Sequence, residues 1–298
     1  MTQTTIDTVT PAAQAIKARR MAFPWAEPLQ AWWNPARPGF SQIVNAASLA
    51  MPFLEPYLIA TMKKAREQIK DPTLLADVAG YIAQESAHFR QHQQFNQRLA
   101  TLYTCVPAIE AKLKADYDSF AANRSFTFNL AYAEGFEAMA LTIGHMLVEE
   151  RQALFGDADP AVSSLVLWHF VEEIEHKTVT YDVLGAFSHS YFWRIGGFLF
   201  ATFHIMGRTR QAYKQLLVED GIWYSVRQRL AIYGVLARIF RRLAPRMLRI
   251  FKPGYDPREV ADPAWALAWR DQFAKGAESL GKLDTRRIAE LEPAQITL

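Results

Sequence analysis

Apolar residues recur at helical spacing along most of the chain, and no segment shows the alternation that a half-buried strand requires. Asp71 and Pro72 form a typical helix start, because the aspartate caps free backbone N–H groups and proline fits the first turn. The same pair at residues 159–160 predicts another start. We therefore predict an all-α fold that includes helices over residues 72–102 and 160–187.

A central helix is predicted to begin after Asn123 or Ser125, either of which is a suitable N-cap, and to end near Arg151, because apolar residues lie on most of its sides. Residues 50–70 also carry an amphipathic helical pattern despite internal prolines. Together these segments predict a helical bundle. Residues 21–40 hold three tryptophans and four prolines, so we expect an extended strap over the bundle.

Composition divides the chain into three parts. Residues 1–20 are polar and are predicted to be a disordered lead. Residues 21–188 hold the strap and the bundle, and residues 189–298 form an apolar and basic helical extension packed on the bundle. The chain is 50% apolar and 21% charged, which is typical of a globular protein. The single cysteine, Cys105, excludes an internal disulfide and favours a reducing, cytoplasmic location.

The extension contains two unusual segments. An apolar run at residues 191–206 includes Arg194 and His204, which makes it too short and too polar for a membrane-spanning helix. Residues 221–250 contain seven arginines and no acid. Residues 190–250 can therefore cover the bundle, form a homodimer contact or lie on the inner face of a membrane. The net charge of +3 is too small to indicate a nucleic-acid partner.

Ionisable residues interrupt the apolar pattern at helical spacing. His169, Glu173 and His176 share one face, because each residue of a helix turns about 100°. Glu85 and His88 repeat the Glu-x-x-His spacing on another predicted helix. A carboxylate and imidazoles in an apolar interior are costly unless a partner such as a metal ion pairs with them.

Two further predicted helices each contribute one interior glutamate, Glu55 and Glu134. In chain order the ionisable residues therefore read Glu, Glu-x-x-His, Glu, Glu-x-x-His. This is the ligand set of ferritin-like di-iron and di-manganese bundles. Its four carboxylates would neutralise two divalent cations. The predicted metal ligands are Glu55, Glu85, His88, Glu134, Glu173 and His176.

Three neighbouring residues leave other assignments open. His169 is either a further ligand or a residue hydrogen-bonded to a ligand carboxylate. His92 is expected behind the ligands, because the six-residue set is already complete. Glu134 is preferred as a ligand over Glu137, for which we expect a supporting position or a solvated edge of the bundle.

The chain resembles the bacterial family described as predicted metal-dependent hydrolases over roughly residues 20–270. The resemblance implies an all-helical, ferritin-like fold and the same six metal ligands. The residues that carry it are Gln84-Glu85-x-x-His88-x-x-x-His92-x-x-x-Asn96, Trp168-His169-Phe170-x-Glu172-Glu173-x-Glu175-His176-Lys177 and the helix of Glu134.

The ligand set predicts a di-iron carboxylate enzyme that uses O₂ to oxidise a hydrophobic or aromatic small molecule, with an electron donor that the sequence does not identify. Manganese, a mixed manganese–iron pair or zinc are the alternative metals. The first alternative function is a dinuclear metal-dependent hydrolase, since two metals can also activate water. The second is a non-catalytic metal-binding or membrane-associated helical protein.

Overall fold

The computed structural model describes residues 15–26, 28–274 and 278–291. Within these ranges the chain forms α-helices joined by turns and short 3₁₀ segments, so the all-α prediction is confirmed. The helices are α1 (Pro38–Ser48), α2 (Met51–Arg66), α3 (Pro72–Leu102), α4 (Val106–Asn123), α5 (Phe126–Glu149), α6 (Arg151–Phe155), α7 (Pro160–Glu175), α8 (Val179–Phe187), α9 (Tyr191–Glu219), α10 (Val226–Ile250) and α11 (Ala264–Ala274).

Helix α5 is the centre of the fold, as its apolar sequence predicts. Its residues 129–142 are buried without interruption, and helices α2, α7, α8, α9 and α10 pack around it. The Ser125 hydroxyl oxygen accepts a hydrogen bond from the backbone N–H of Phe128, so Ser125, and not Asn123, is the cap of the two that the sequence offers. The caps of α3 and α7, Asp71 and Asp159, are confirmed in the same way.

The second Glu-x-x-His segment departs from the single helix predicted over residues 160–187. Helix α7 ends at Glu175, and α8 begins at Val179 after a turn in which the Val179 N–H donates to the His176 carbonyl (2.9 Å). Lys177 lies in this turn, and its ammonium group donates to Asp262 (2.6 Å). The prediction of one continuous helix is wrong, because a contact with a distant part of the chain holds this turn.

The aromatic segment before α1 covers the bundle without forming a helix. Trp33 is buried there, and its indole N–H donates to Asn45 (3.0 Å). The Trp33 ring stacks on Phe155, with the ring centroids 6.1 Å apart. The strap is therefore fixed to the bundle by the packing of Trp33 and by the hydrogen bond that its indole donates.

The polar segment that precedes the strap is only partly described. Residues 1–14 of the predicted disordered lead lie outside the described residues. In the remainder, the buried Arg19 guanidinium donates to Glu172 (2.9 Å) and Glu175 (2.6 Å) of α7. Residues 15–20 therefore differ from the disordered segment that their composition predicts, because paired charges hold them on the bundle.

The C-terminal helices extend the bundle. Helix α9 packs along α5, and α10 packs against α1 and α5. Within the described ranges, no single helix has the length and apolar character needed to cross a membrane. The bent pair of α1 and α2 meets that criterion by length and composition alone.

Helices α5 and α9 touch backbone to backbone at two glycines. A Cβ atom on Gly197 would lie 2.0 Å from the carbonyl oxygen of Ala131, and one on Gly135 would lie 2.4 Å from the backbone of α9. Neither distance leaves room for a methyl group. Glycine is therefore required at both positions of this crossing.

We predict that Gly197→Ala destabilises the protein by about 2–3 kcal/mol, because the added methyl group must push the two backbones apart. Gly196→Ala is the matched control on the same helix, since its Cβ atom would meet no atom within 4 Å. Alanine there should stabilise the helix by up to about 1 kcal/mol. Urea unfolding measures both effects, and equal unfolding midpoints for the two variants would contradict the close crossing.

Candidate metal centre

Helices α2, α3, α5 and α7 direct buried ionisable side chains at one region inside the bundle. The possible ligand atoms form overlapping groups, and the atoms of each group lie within 4.8 Å of one another. None of these residues is more than 6% exposed. The members are Glu55, Glu85, His88, His92, Glu137, His169, Glu173 and His176.

Glu173 connects two of these groups through its two oxygens. Oε1 lies 2.9 Å from His169 Nε2 and 3.8 Å from His88 Nδ1, whereas Oε2 lies 3.3 Å from His176 Nε2. Glu85 is shared as well, because its Oε1 lies 3.5 Å from both His88 Nδ1 and His176 Nε2. Two ligands about 2.1 Å from one metal ion and at right angles would be about 3 Å apart. The separations between these atoms therefore suit metal coordination, and Glu85 and Glu173 each face more than one histidine.

Hydrogen bonds away from the centre fix the tautomers of two histidines. His88 Nε2 donates to Glu172 (3.0 Å), so in the neutral ring the Nδ1 lone pair faces Glu85. The side-chain nitrogen of Gln84 is itself a donor, so its oxygen accepts from His176 Nδ1 (3.0 Å), and the Nε2 lone pair of His176 faces the carboxylates. Metal-ligating histidines are typically held by such a bond from the other ring nitrogen.

A longer chain of hydrogen bonds fixes the third histidine. The Asn96 side-chain nitrogen donates to the Ser48 carbonyl (2.9 Å), so the Asn96 oxygen accepts from the Ser48 hydroxyl (2.7 Å). Ser48 then accepts from His92 Nδ1 (2.8 Å), and His92 Nε2 accepts from His169 Nδ1 (2.7 Å). The Nε2 lone pair of His169 is left facing Glu173. This arrangement favours His169 as a ligand and His92 as its hydrogen-bonded support.

Buried polar atoms without a hydrogen-bond partner among the described residues mark the same region. They include both oxygens of Glu55 and of Glu85, Nδ1 of His88 and Oε2 of Glu137. Burial raises the pKa of Glu55 well above its usual range, and neighbouring carboxylates raise it further. Burial also raises the pKa of Glu137 to about 7. A cation would satisfy these atoms and relieve the repulsion, so the residues fit a metal site.

Helix α5 directs Glu137 to this region instead of the predicted Glu134. Oε2 of Glu137 lies 3.4 Å from His176 Nε2, and Oε1 accepts a hydrogen bond from the Tyr81 hydroxyl (2.7 Å). Glu134 is buried but belongs to none of the ligand groups found among the described residues. Burial raises the pKa of Glu134 to about 8, although Arg194 of α9 lowers it. The sequence-based preference for Glu134 as the ligand from α5 is therefore replaced by Glu137, because the rotation of α5 turns Glu137 toward the centre.

The residue before each motif glutamate supports the histidine of the other motif. Glu172 accepts from His88 of α3, and Gln84 accepts from His176 at the end of α7. Glu172 is fully buried and also accepts from Arg19 (2.9 Å). Gln84 and Glu172 are part of the two sequence motifs but were given no predicted role, although their equivalent positions before the motif glutamates were a signal that could have revealed it.

A cleft of about 460 Å³ lies between residues 18–21, at the junction of the lead and the strap, and helix α3. Its lining includes the exposed Arg20 and Arg90 and the fully buried Trp168. The indole N–H of Trp168 has no hydrogen-bond partner in the described part of the chain. The Trp168 ring packs edge-on against His88, with 4.8 Å between the ring centroids. One aromatic side chain therefore touches both the cleft and the centre.

The fold and the site define a helical protein with a buried centre of carboxylates and histidines that suits metal ions. Residues 17–261 match the model of the family described as predicted metal-dependent hydrolase, and the chain belongs to that family. The resemblance inferred from the two motifs is thereby confirmed. Comparisons with curated proteins and with solved structures found no match.

We predict that bound metal stabilises the protein more strongly as the pH rises from about 7 to about 9. Burial lowers the pKa of His88, but the hydrogen bond with Glu172 and the negative charges of Glu85 and Glu172 more than offset this and raise the pKa to about 9. The metal-free folded protein therefore holds a proton that the unfolded chain releases, and it loses stability as the pH rises through this range. A metal ion takes the place of that proton.

The unfolding temperatures of metal-free and Mn(II)-loaded protein at the two pH values measure this difference. Burial lowers the pKa values of His92 and His169 well below their usual range, so these rings are uncharged throughout. Glu134, with its pKa of about 8, lies outside the ligand groups and should affect both forms alike. A metal-dependent stabilisation that does not change with pH would contradict the prediction.

Proposed function

We propose that this protein is a dinuclear metal-dependent hydrolase. The observation that carries the proposal is the position of Glu173 between two groups of ligand atoms, with Oε1 facing His169 and Oε2 facing His176. A carboxylate that faces two ways suits two adjacent cations better than one. The description of the family to which the chain belongs supports the same reaction class.

The ligands divide into two overlapping sets. Zinc, manganese and iron all accept this mixture of carboxylates and imidazoles. Two such divalent ions would supply Lewis acidity and activate water for attack on an ester or phosphoryl bond. The first ion would be held by Glu55, His88 and His169 and the second by Glu137 and His176, and Glu85 and Glu173 would be available to both.

Neighbouring side chains orient the ligands and exclude bulk water. The Tyr81 hydroxyl holds Oε1 of Glu137 (2.7 Å), so Oε2 remains directed at the centre. Trp168 packs on His88 and Tyr81 packs on His176, with ring centroids 4.8 Å apart in both pairs. In this dry environment each electrostatic interaction with the reacting group is stronger than it would be in water.

The cleft beside Trp168 favours an acidic substrate. Arg20 and Arg90 line it and make no ion pair with any described residue. The indole N–H of Trp168, which has no partner among those residues, can donate to an oxygen acceptor. A phosphate ester or an ester that carries a carboxylate matches both the charge and the hydrogen-bond donors of the cleft.

An O₂-dependent di-iron oxidoreductase acting on a hydrophobic or aromatic molecule is the second candidate. Three imidazole lone pairs that face the carboxylates favour it, because imidazole suits iron as well as zinc. This function also requires an electron donor.

Hydrolysis of chromogenic phosphate and carboxylate esters, by metal-free protein reloaded with Zn(II), Mn(II) or Fe(II), tests the proposal. We expect activity only with metal. Glu137→Gln should reduce it by about 10- to 100-fold, because a metal ligand is weakened. Glu134→Gln is the matched control on the same helix and should keep the activity within about threefold.

Two outcomes would contradict the proposal. If no metal supports ester hydrolysis while the Fe(II)-loaded protein consumes O₂, the second candidate replaces it. If Glu137→Gln and Glu134→Gln lose activity and bound metal equally, the assignment of the α5 ligand is wrong.

A further inference from the structure

Helix α10 carries two apolar stripes that meet different surroundings. The first stripe packs on the bundle, and its members are Ile232, Leu236, Ile239, Leu243, Met247 and Ile250. The second stripe is offset from it by about 110° around the helix and faces solvent. Its exposed fractions are 62% for Val226, 65% for Leu230, 51% for Tyr233, 62% for Phe240 and 67% for Leu248.

The exposed stripe runs along the whole of α10. Its members recur at helical intervals over about six turns, and Ala237 and Ala244 lie on the same face. Single exposed apolar residues are common on protein surfaces, whereas a continuous exposed stripe marks an interaction surface. No described part of the chain covers this one, because its large side chains are more than half exposed.

Positive charge borders the stripe. Residues 221–250 contain seven arginines and no Asp or Glu. Three of these arginines reach Glu149 or Glu150 at the end of α5. Arg227, Arg241 and Arg249 are exposed and pair with no acid of the described residues, so their charges are available to a partner.

The start of α9 adds aromatic side chains at one end of this surface. The Tyr191 hydroxyl donates to the carbonyl of Phe251 (2.7 Å), so the first turn of α9 adjoins the C-terminal end of α10. In the same turn, Phe192 is 83% exposed and Trp193 is 40% exposed. Tryptophan and tyrosine are the side chains that favour the boundary between lipid and water.

We propose that this face of α10 docks the protein on an anionic membrane surface. The apolar stripe enters the boundary between headgroups and acyl chains, and Arg227 and Arg241 contact acidic headgroups. A symmetric pair of chains would place the same positive surface on both sides, with no acid on α10 to neutralise it. Docking is independent of the reaction at the metal centre.

Co-sedimentation of the full-length protein with lipid vesicles tests the docking. We expect binding to phosphatidylcholine vesicles that contain about one-third phosphatidylglycerol, and weaker binding to phosphatidylcholine alone or at high salt. Arg227→Glu combined with Arg241→Glu should weaken the binding at least about tenfold. Phe240→Ser combined with Leu248→Ser should weaken it similarly, because the apolar area that enters the membrane is lost.

Matched variants elsewhere on the surface separate specific docking from a general effect. Lys63→Glu combined with Lys64→Glu, on the exposed side of α2, controls for charge, and Leu102→Ser controls for an exposed apolar side chain. Both should bind vesicles as the parent protein does, and equal losses would overturn the proposal.

Failure of the parent protein to bind anionic vesicles would also overturn it. Light scattering then identifies the alternative occupant. A dimer that Phe240→Ser combined with Leu248→Ser converts to a monomer would assign the face to a second copy of the chain.

Discussion

The burial of several carboxylates in one apolar bundle is the constraint on which the rest of the structure depends. Glu55, Glu85, Glu137 and Glu173 are all buried, and their carboxylates belong to overlapping groups of possible ligand atoms in one centre. Their desolvation and mutual repulsion oppose folding unless protons or cations compensate. The lone pairs of several histidines face the same carboxylates, which is the arrangement that cations need. We therefore expect metal binding and folding to be coupled in this protein.

The two Glu-x-x-His motifs support each other across the bundle. Glu172 holds His88 and Gln84 holds His176, so separation of α3 from α7 would break both hydrogen bonds. Arg19, in the segment before the strap, forms an ion pair with Glu172 and so links that segment to the hydrogen bond that holds His88. That contact explains why a polar stretch of sequence is held on the bundle, and it makes the stretch part of the support for the proposed metal ligands.

Local signals in the sequence predicted the helices and most of the centre, because caps such as Asp71 depend only on neighbouring residues and Glu-x-x-His places two side chains on one face of any helix. The sequence could not decide between Glu134 and Glu137, because the answer depends on how α5 is rotated about its own axis. The contact of Gly135 with α9 fixes that rotation. Gly135 faces α9, and Glu137, two residues further on, points about 200° away from it. The break before α8 was missed for a similar reason, since a distant contact holds that turn.

Anomalous X-ray diffraction from crystals of the Mn(II)-loaded protein tests the central claim most directly. We expect two anomalous peaks, one on either side of Glu173, with Glu137 coordinating one of the ions and Glu134 remote from both. A single peak, coordination by Glu134, or no metal between α3 and α7 would contradict a dinuclear centre built from these ligands.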